Sequence, residues 1–284
     1  MTIDQMHIDF KLEYDKTSNL ENPAFEPEEI DLWLNKAIRK FVKTRYSGIN
    51  VKRESFEQTQ KRIDDLRSLI KQETLDCVAD TYKDNCFIAD LNDLTYDYWF
   101  VIGEEVLIAF LSLLDTADVV LTGSLVSGNV YLVVGTSSVT HATVEYDPGD
   151  YFIASTTTYT GSGSVIELST KLQGVLSITS DTYRSHIDNP YSEHILHYEE
   201  AKPLRLFVED TVELITDGSY GVMKYYIRYL TAPDEVSSES GSQIDCNLPE
   251  HTHDEIVKIA VSMALENVEQ PRYQSHMNEI ITME

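Results

Sequence analysis

The sequence predicts an α+β fold in which terminal helices form a small bundle and an antiparallel β-rich domain is inserted between them. Three observations predict it. Helical apolar periodicity occurs near both ends of the 284-residue chain, short β-prone runs separated by turn residues fill the middle, and the two patterns do not alternate. Segregated helices and strands are typical of α+β rather than of parallel α/β folds.

Residues 1–22 form the predicted N-terminal arm. Ile8, Phe10, Leu12 and Tyr14 alternate with polar residues, which predicts an extended segment. Such an arm could add to a sheet edge or reach a neighbouring chain, and plain N-terminal coil is the alternative.

Residues 23–78 are predicted to form a helical hairpin. The first helix runs from about Pro27 to Tyr46, with Pro27 in the first turn and basic residues in the last half. Its apolar residues recur every three or four positions: Ile30, Trp33, Leu34, Ala37, Ile38 and Phe41. The second helix begins near Ser55, where Ser55 and Gln58 fit a capping box. Its apolar seam consists of Phe56, Thr59, Ile63, Leu66 and Ile70.

Residues 79–118 and 183–236 are predicted to form an antiparallel β core. The segment 96–102 alternates until Gly103, which is expected to break the run before Val106. Further strands are expected at Leu204–Val208, Val212–Ile215 and Tyr220–Leu230, the last two joined as a hairpin by the Asp217-Gly218 turn.

Residues 119–182 form a predicted Ser/Thr-rich β insertion that carries almost no charge. Turn residues divide it into an antiparallel meander, in the form of a small barrel or sandwich. The expected strands are Val130–Val134, Ala142–Tyr146, Tyr151–Ala154, Thr156–Tyr159, Val165–Leu168 and Val175–Ile178.

Residues 237–247 are a predicted polar linker, and residues 248–284 are a predicted C-terminal helix that packs on the N-terminal helices. The apolar stripe of this helix consists of Ile256, Ile259, Ala260, Met263 and Ala264. Pro271 is expected to bend or end the helix, and residues 273–281 could add a further turn or two.

Composition excludes several classes of function. The net charge of −26 disfavours a non-specific grip on nucleic-acid phosphates and docking on an anionic membrane. The first ten residues hold no lysine or arginine, so no export signal is expected. The longest apolar run, Val106–Leu114, is about half the length of a membrane span, so no membrane partner is predicted.

The sequence offers little catalytic or metal-binding chemistry. His251 and His253 are two residues apart and point to different faces. His194 and His197 could share a helical face, with Glu193, Glu199 and Glu200 as loose additional ligands, but exposed histidines are the favoured interpretation. The three cysteines, Cys77, Cys86 and Cys246, are predicted to be reduced, partly buried thiols.

No nucleophile elbow, phosphate-binding loop or selected carboxylate pair is present. We therefore predict no catalytic, cofactor-binding or metal-binding residues, no cofactor, and a protein that is not an enzyme. Tyrosine is abundant, and we expect most of these residues to be structural and a minority to lie at interfaces. Those in the β segments are Tyr96, Tyr98, Tyr131, Tyr146, Tyr151, Tyr159, Tyr220, Tyr225, Tyr226 and Tyr229.

Three stretches together carry a family resemblance. The first runs from Asn22-Pro23-Ala24-Phe25-Glu26 through Trp33-Leu34-Asn35-Lys36-Ala37 to Arg45-Tyr46, and the second comprises Phe56-Glu57 and Lys61-Arg62-Ile63-Asp64-Asp65-Leu66-Arg67. The third runs from Asp245-Cys246-Asn247-Leu248-Pro249-Glu250 to Arg272-Tyr273. They resemble structural tail proteins of short-tailed, crAss-like bacteriophages, and more narrowly the ring or head-to-tail adaptor (connector) proteins beneath the portal.

The resemblance implies a structural virion protein at the head–tail junction that joins the portal to the tail and lines the DNA channel. It implies a ring of 12 copies that contacts the portal and neighbouring tail-ring or tail-tube proteins, assembles in the host cytoplasm and takes part in DNA ejection. Contact with DNA would be passive, because an acidic lumen repels phosphates. A ring needs two different patches on each subunit, for which the amphipathic helices and the N-terminal arm are the expected sources.

Two alternative functions stay open at this point. A carbohydrate-binding or fibre-like β module is supported by the tyrosine-rich meander. A virion-associated hydrolase is compatible with the abundance of carboxylates, although the sequence selects no pair of them.

Overall fold

The computed structural model describes residues 1–17, 25–47, 59–110, 124–197 and 200–267. The chain divides into two compact units, one comprising residues 1–71 and 230–284 and the other residues 72–229. Helices dominate the first unit and antiparallel strands the second, which confirms the predicted α+β class with a β-rich domain.

Helices from both ends of the chain build the first unit. They are α1 (Ile3–Thr17), α2 (Pro27–Tyr46), α3 (Gln60–Leu66) and α5 (His253–Asn267). Helix α5 packs against both α1 and α2, and the three helices bury their apolar stripes against one another. The fully buried residues include Met6, Phe10, Ile30, Leu34, Phe41, Ile256 and Ala260.

The predicted extended arm is wrong, because Ile3–Thr17 is helical. Residues Ile3, Met6, Phe10 and Tyr14 recur every three or four positions and are at most 6% exposed, so they form the buried face of a helix. The four apolar residues that alternate in the sequence lie on two different faces of this helix. Phe10 and Tyr14 are buried, whereas Ile8 and Leu12 are exposed.

Helix α2 spans the predicted residues, and the hydrogen bond from the Glu26 N–H to the Glu29 carboxylate (3.0 Å) closes its first turn. The predicted capping box at Ser55 and Gln58 lies outside the described residues, as does Phe56. Ile70 was predicted on a helical seam but begins strand β1 (Ile70–Asp76), after a 3₁₀ turn over Arg67–Leu69. Pairing with a distant strand, which local periodicity does not report, sets this boundary.

The larger sheet of the second unit has six strands in the order β1-β14-β4-β10-β5-β8. They are β1 (Ile70–Asp76), β4 (Tyr98–Phe110), β5 (Val130–Val134), β8 (Tyr151–Ile153), β10 (Ser164–Gly174) and β14 (Tyr220–Thr231). The last half of β10 pairs antiparallel with β4 and its first half with β5. Part of the predicted insertion thus shares a sheet with the predicted β core.

A second sheet has five strands in the order β11-β12-β13-β3-β2, and a third has three in the order β7-β6-β9. The strands are β2 (Val78–Ala79), β3 (Cys86–Asp90), β6 (Val139–His141), β7 (Val144–Tyr146), β9 (Thr160–Gly161), β11 (Leu176–Ser177), β12 (Leu204–Val208) and β13 (Thr211–Ile215). A short helix, α4 (Tyr183–Ile187), precedes β12.

Three local predictions in this unit are wrong. Strands β13 and β14 do not form a hairpin: β13 pairs with β12 and β3, whereas β14 lies between β1 and β4. Gly103 does not end a strand but lies inside β4, and Thr156–Tyr159 is irregular. For β4, β13 and β14 the strand partners, rather than the local turn signals, decide where a strand continues and what it pairs with.

Candidate functional site

A buried ion cluster joins three helical segments of the first unit. Arg45 at the end of α2 donates from Nε to Asp65 of α3 (3.0 Å) and from its terminal nitrogen to both oxygens of Glu255 on α5 (2.6 and 2.7 Å). Arg45 and Asp65 are 2% and 1% exposed. His251 pairs with the other Asp65 oxygen at 2.9 Å. Every oxygen of the two carboxylates therefore has a partner.

Burial of the Glu255 carboxylate outweighs the effect of the neighbouring cation on its pKa. Burial raises the pKa of Glu255, and the Arg45 guanidinium opposes that increase. The Arg45 guanidinium also lies 4.7 Å from the centroid of the Phe41 ring. The Arg45 guanidinium therefore contacts two carboxylates and an aromatic ring. These contacts fix the helical segments relative to one another.

A second polar cluster fastens the segment 233–245 to helices α1 and α2. Asp31 pairs with His7 at 2.7 Å and accepts hydrogen bonds from the backbone and hydroxyl of Ser238 at 2.9 and 2.8 Å. The Asn35 side chain exchanges two hydrogen bonds with the backbone of Val236, at 2.8 and 3.0 Å. Much of the predicted polar linker is therefore anchored to the helices.

The outward face of α2 is basic. Lys36, Arg39, Lys40 and Lys43 line a shallow depression of about 450 Å³ together with Thr44 and Ser47. Arg39 forms an ion pair with Glu235, and the Lys36 ammonium lies 4.4 Å from the centroid of the Trp33 ring. Leu32, one turn before Lys36, is 52% exposed.

The outward face of α1 combines acidic and apolar side chains. Asp4 and Asp15 are exposed at its two ends. Between them, Ile8 and Leu12 are 58% and 56% exposed, although large aliphatic side chains usually face a core. The stripe also carries Lys11.

A cleft of about 690 Å³ opens in the β-rich unit. Strands β2 and β8, which are edge strands of two sheets, both contribute to it. Aromatic residues Tyr146 and Tyr151 and the carboxylates of Glu145 and Asp150 line its wall.

Comparison with known proteins places these features in a family. The family model of the crAss phage tail ring protein 3/4 matches residues 1–127 and 126–274, which together take in nearly the whole chain. The chain belongs to this family. It is therefore a structural protein of the phage tail ring, and the predicted resemblance to crAss-like ring proteins is confirmed. No curated protein matches the chain.

The prediction of exposed histidines holds for His197 and His251 of this ring protein and is wrong for His194 and His253. His194 and His253 are 4% and 3% exposed, and burial lowers the pKa of both. His253 Nε2 lies 2.9 Å from the Leu248 carbonyl, whereas His251 turns to Asp65, so the two rings have separate partners. His197 is exposed.

The described residues of the ring protein do not form a metal-binding site. Among these residues no three His, Cys, Asp or Glu side chains come together as a metal site requires. Glu193 is exposed and bonded to Lys202 at 2.6 Å, Glu200 approaches Lys171 at 3.6 Å, and Glu199 lies outside the described residues.

The cysteines of the ring protein are free thiols, as predicted, and Cys86 and Cys246 are buried. Burial raises the pKa of Cys86 to about 12 and also raises the pKa values of Cys77 and Cys246, so all three are poor nucleophiles.

Most of the tyrosines singled out from the sequence are structural. Tyr131, Tyr220, Tyr225 and Tyr229 are at most 2% exposed, whereas Tyr96 is 51% exposed. The Tyr131 hydroxyl bonds to Glu167, and the Tyr220 hydroxyl donates to the His194 carbonyl at 2.8 Å.

Among the described helices of the ring protein, none has the length and apolar character needed to cross a membrane.

The two polar clusters were not predicted from the sequence. Asp31, Asn35 and Glu255 look like surface residues of amphipathic helices, and Arg45 looks like a basic last-turn residue. The available signal was their position beside the apolar stripe: Arg45 follows Phe41 by one turn, and Glu255 precedes Ile256.

Proposed function

We propose that this tail ring protein forms a closed ring of 12 copies at the head–tail junction, where it joins the portal to the tail and lines the DNA channel. The family match over nearly the whole chain carries the proposal. The braced helical unit supports it, because a subunit that packs into a ring needs a surface that holds its shape. We further propose that its role is not catalytic and that it assembles in the host cytoplasm.

The charge of the chain supports a channel through which DNA slides. With −26 per protomer, a ring of 12 copies would surround DNA with a strongly acidic wall, which repels phosphates and does not release counterions as a gripping surface would. DNA could therefore pass during ejection without being held.

Cryo-electron microscopy of the intact phage particle tests the proposal. We expect 12-fold density directly below the portal, into which the α1, α2 and α5 bundle fits, with neighbouring tail proteins on the opposite side. Density for the chain at another level of the tail, or with another symmetry, would contradict the portal contact or the copy number while leaving family membership intact.

A carbohydrate-binding module is the second candidate, favoured by the cleft in the β-rich unit. Tyr146 and Tyr151 offer aromatic surfaces, and Glu145 and Asp150 offer carboxylates that could bond sugar hydroxyls. A glycan array with the full chain tests it: binding that Tyr151→Ala abolishes would favour this candidate. A turnover assay on glycan or peptidoglycan would separately reveal a hydrolase.

A further inference from the structure

We propose that the basic outward face of α2 binds the acidic and apolar outward face of α1 on a neighbouring copy of this chain, forming the contact between adjacent ring subunits. The inference rests on the proposed ring. It assigns the two non-identical patches that a head-to-tail ring requires, and both lie in the same helical unit.

The first patch is unusual because it is positive on a strongly negative chain. The chain has 22 basic residues against 48 acidic ones, yet four of the basic residues line one shallow depression on α2. Copies of a chain with a net charge of −26 repel one another, so contact between copies is most favourable where a positive surface meets a negative one.

Several cations elsewhere on the chain are bound to carboxylates of their own protomer, as Arg39 of the α2 face is to Glu235. Arg205 pairs with Glu104 at 3.0 Å, Lys83 with Glu213 at 2.6 Å, and Arg45 lies in the buried cluster. Lys171, Lys202 and Lys224 also pair with acidic residues. What distinguishes the α2 face is that four exposed basic side chains, Lys36, Arg39, Lys40 and Lys43, surround one depression.

The second patch complements the first in charge, apolar character and length. Asp4 and Asp15 enclose exposed Ile8 and Leu12 on α1, while exposed Leu32 adjoins the cations of α2. Asp4 to Asp15 and Leu32 to Lys43 are each eleven residues apart, or about 16 Å along a helix. Burying the aliphatic side chains would remove apolar surface from water while the charges pair around them.

Packing among the described helices does not bury the outward face of either α1 or α2. The buried stripes of α1, α2 and α5 face one another, so the outward faces are not used to form the bundle. The apolar stripes of these helices therefore stabilise the subunit itself, and a contact between copies would use the opposite faces. Nucleic acid is a poorer occupant, because phosphates offer nothing to Ile8 and Leu12 and meet a repulsive molecule overall.

Charge exchange tests the pairing in the full-length chain. We expect Lys36→Glu/Lys40→Glu to reduce assembly of rings, or incorporation into particles, by about tenfold or more, and Asp4→Lys/Asp15→Lys to do the same. The variant with all four substitutions should recover at least part of the assembly. Lys171→Glu/Arg184→Glu, which makes the same change in net charge in the other unit, is the matched control and should assemble normally.

Zero-length carbodiimide cross-linking of intact particles supplies a second readout. We expect covalent dimers in which Lys36 or Lys40 is joined to Asp4 or Asp15, absent from the monomer band. Circular dichroism melts would show that the variants are folded.

The outcomes separate the two proposals. If wild-type particles contain no ring of this chain, the proposed function fails. If wild-type rings form but the charge reversals do not reduce assembly, the proposed interface is wrong and the proposed ring is unaffected. The same conclusion follows if the variant with all four substitutions recovers no assembly. Salt-sensitive binding of duplex DNA that Lys36→Glu/Lys40→Glu removes would assign the α2 face to nucleic acid instead and overturn the inference.

Discussion

Arg45 illustrates how much a single side chain can hold in this molecule. Its guanidinium bonds carboxylates on two other segments, and all of these groups lie away from water. Desolvating three charges is costly, so the cluster contributes to stability only while it is complete. Removing one partner leaves the others buried without compensation.

We predict that Arg45→Met lowers the free energy of unfolding by about 3–5 kcal/mol, because Asp65 and Glu255 would then face each other without a cation. Urea unfolding measures the change. Lys36→Met on the exposed face of the same helix is the control and should stay within about 0.5 kcal/mol of wild type. A change at Arg45 as small as the control's would show that the cluster adds nothing.

A second residue-scale prediction concerns His253 and pH. Burial lowers the pKa of this histidine in the folded chain, so on acidification below about 6.5 the unfolded chain takes up a proton that the folded chain does not. Stability should therefore fall as the pH decreases from 7.5 toward 5.5. His253→Gln should reduce that slope in melts across the range, whereas His197→Gln, at an exposed position, should not. Equal slopes of stability against pH in wild type and both variants would show that His253 does not cause the pH dependence.

At the scale of elements, the periodic features were predictable and the partners were not. The strands at 130–134 and 204–208 have the predicted bounds, because alternation and turn residues mark them locally. Strand β14 shows the limit: the turn before it exists, with Gly218 at φ +85°, but its partners come from distant parts of the chain. Likewise, nothing local distinguishes buried Arg45 from an exposed last-turn arginine.

Helix α1 gives a prediction that separates a packed helix from a loose arm. Phe10 is 0% exposed and packs beside Tyr14, with ring centroids 6.3 Å apart. Phe10→Ala should cost about 3–5 kcal/mol, because it leaves a cavity between α1 and its neighbours. Lys11→Ala, on the exposed side, should change stability by less than about 0.5 kcal/mol. Chemical denaturation of both variants measures these changes in the free energy of unfolding. A Phe10→Ala variant as stable as wild type would favour a loose N-terminal arm over a packed helix.

The three-stranded sheet gives a prediction about close backbone approach. A Cβ at Gly163 would lie 2.7 Å from a methyl group of Val139 and against the Ser137 carbonyl, so Gly163→Ala should cost about 1–3 kcal/mol. Gly103, inside β4, has open space around the same position. Gly103→Ala should be neutral or stabilise the chain by up to about 1 kcal/mol. Thermal melts that rank the two variants in the opposite order would contradict this account.

At the scale of the whole molecule, net charge is the dominant property. A difference of 26 between acidic and basic side chains keeps free subunits soluble and disfavours polyanions as ligands. Contacts between copies are electrostatically most favourable at local exceptions to that charge, of which the α2 face is one.

We predict that the purified chain does not retain duplex DNA. In a gel-shift assay at about 50 mM salt and about 10 µM protein, the DNA should migrate as if free, because few phosphates could be neutralised. A basic DNA-binding protein in the same gel is the positive control. Retardation that weakens as salt is added would show that the chain grips DNA, contrary to the proposed sliding contact.

The place where the chain leaves and re-enters the helical unit has an evolutionary consequence. There the Thr231 hydroxyl bonds to the Leu69 carbonyl at 3.2 Å, so the two crossing points are neighbours. Because its two ends are neighbours, the segment between Leu69 and Thr231 can change in length or sequence without requiring the helices to move. Related chains could thus carry β modules of different length or sequence on the same helical scaffold.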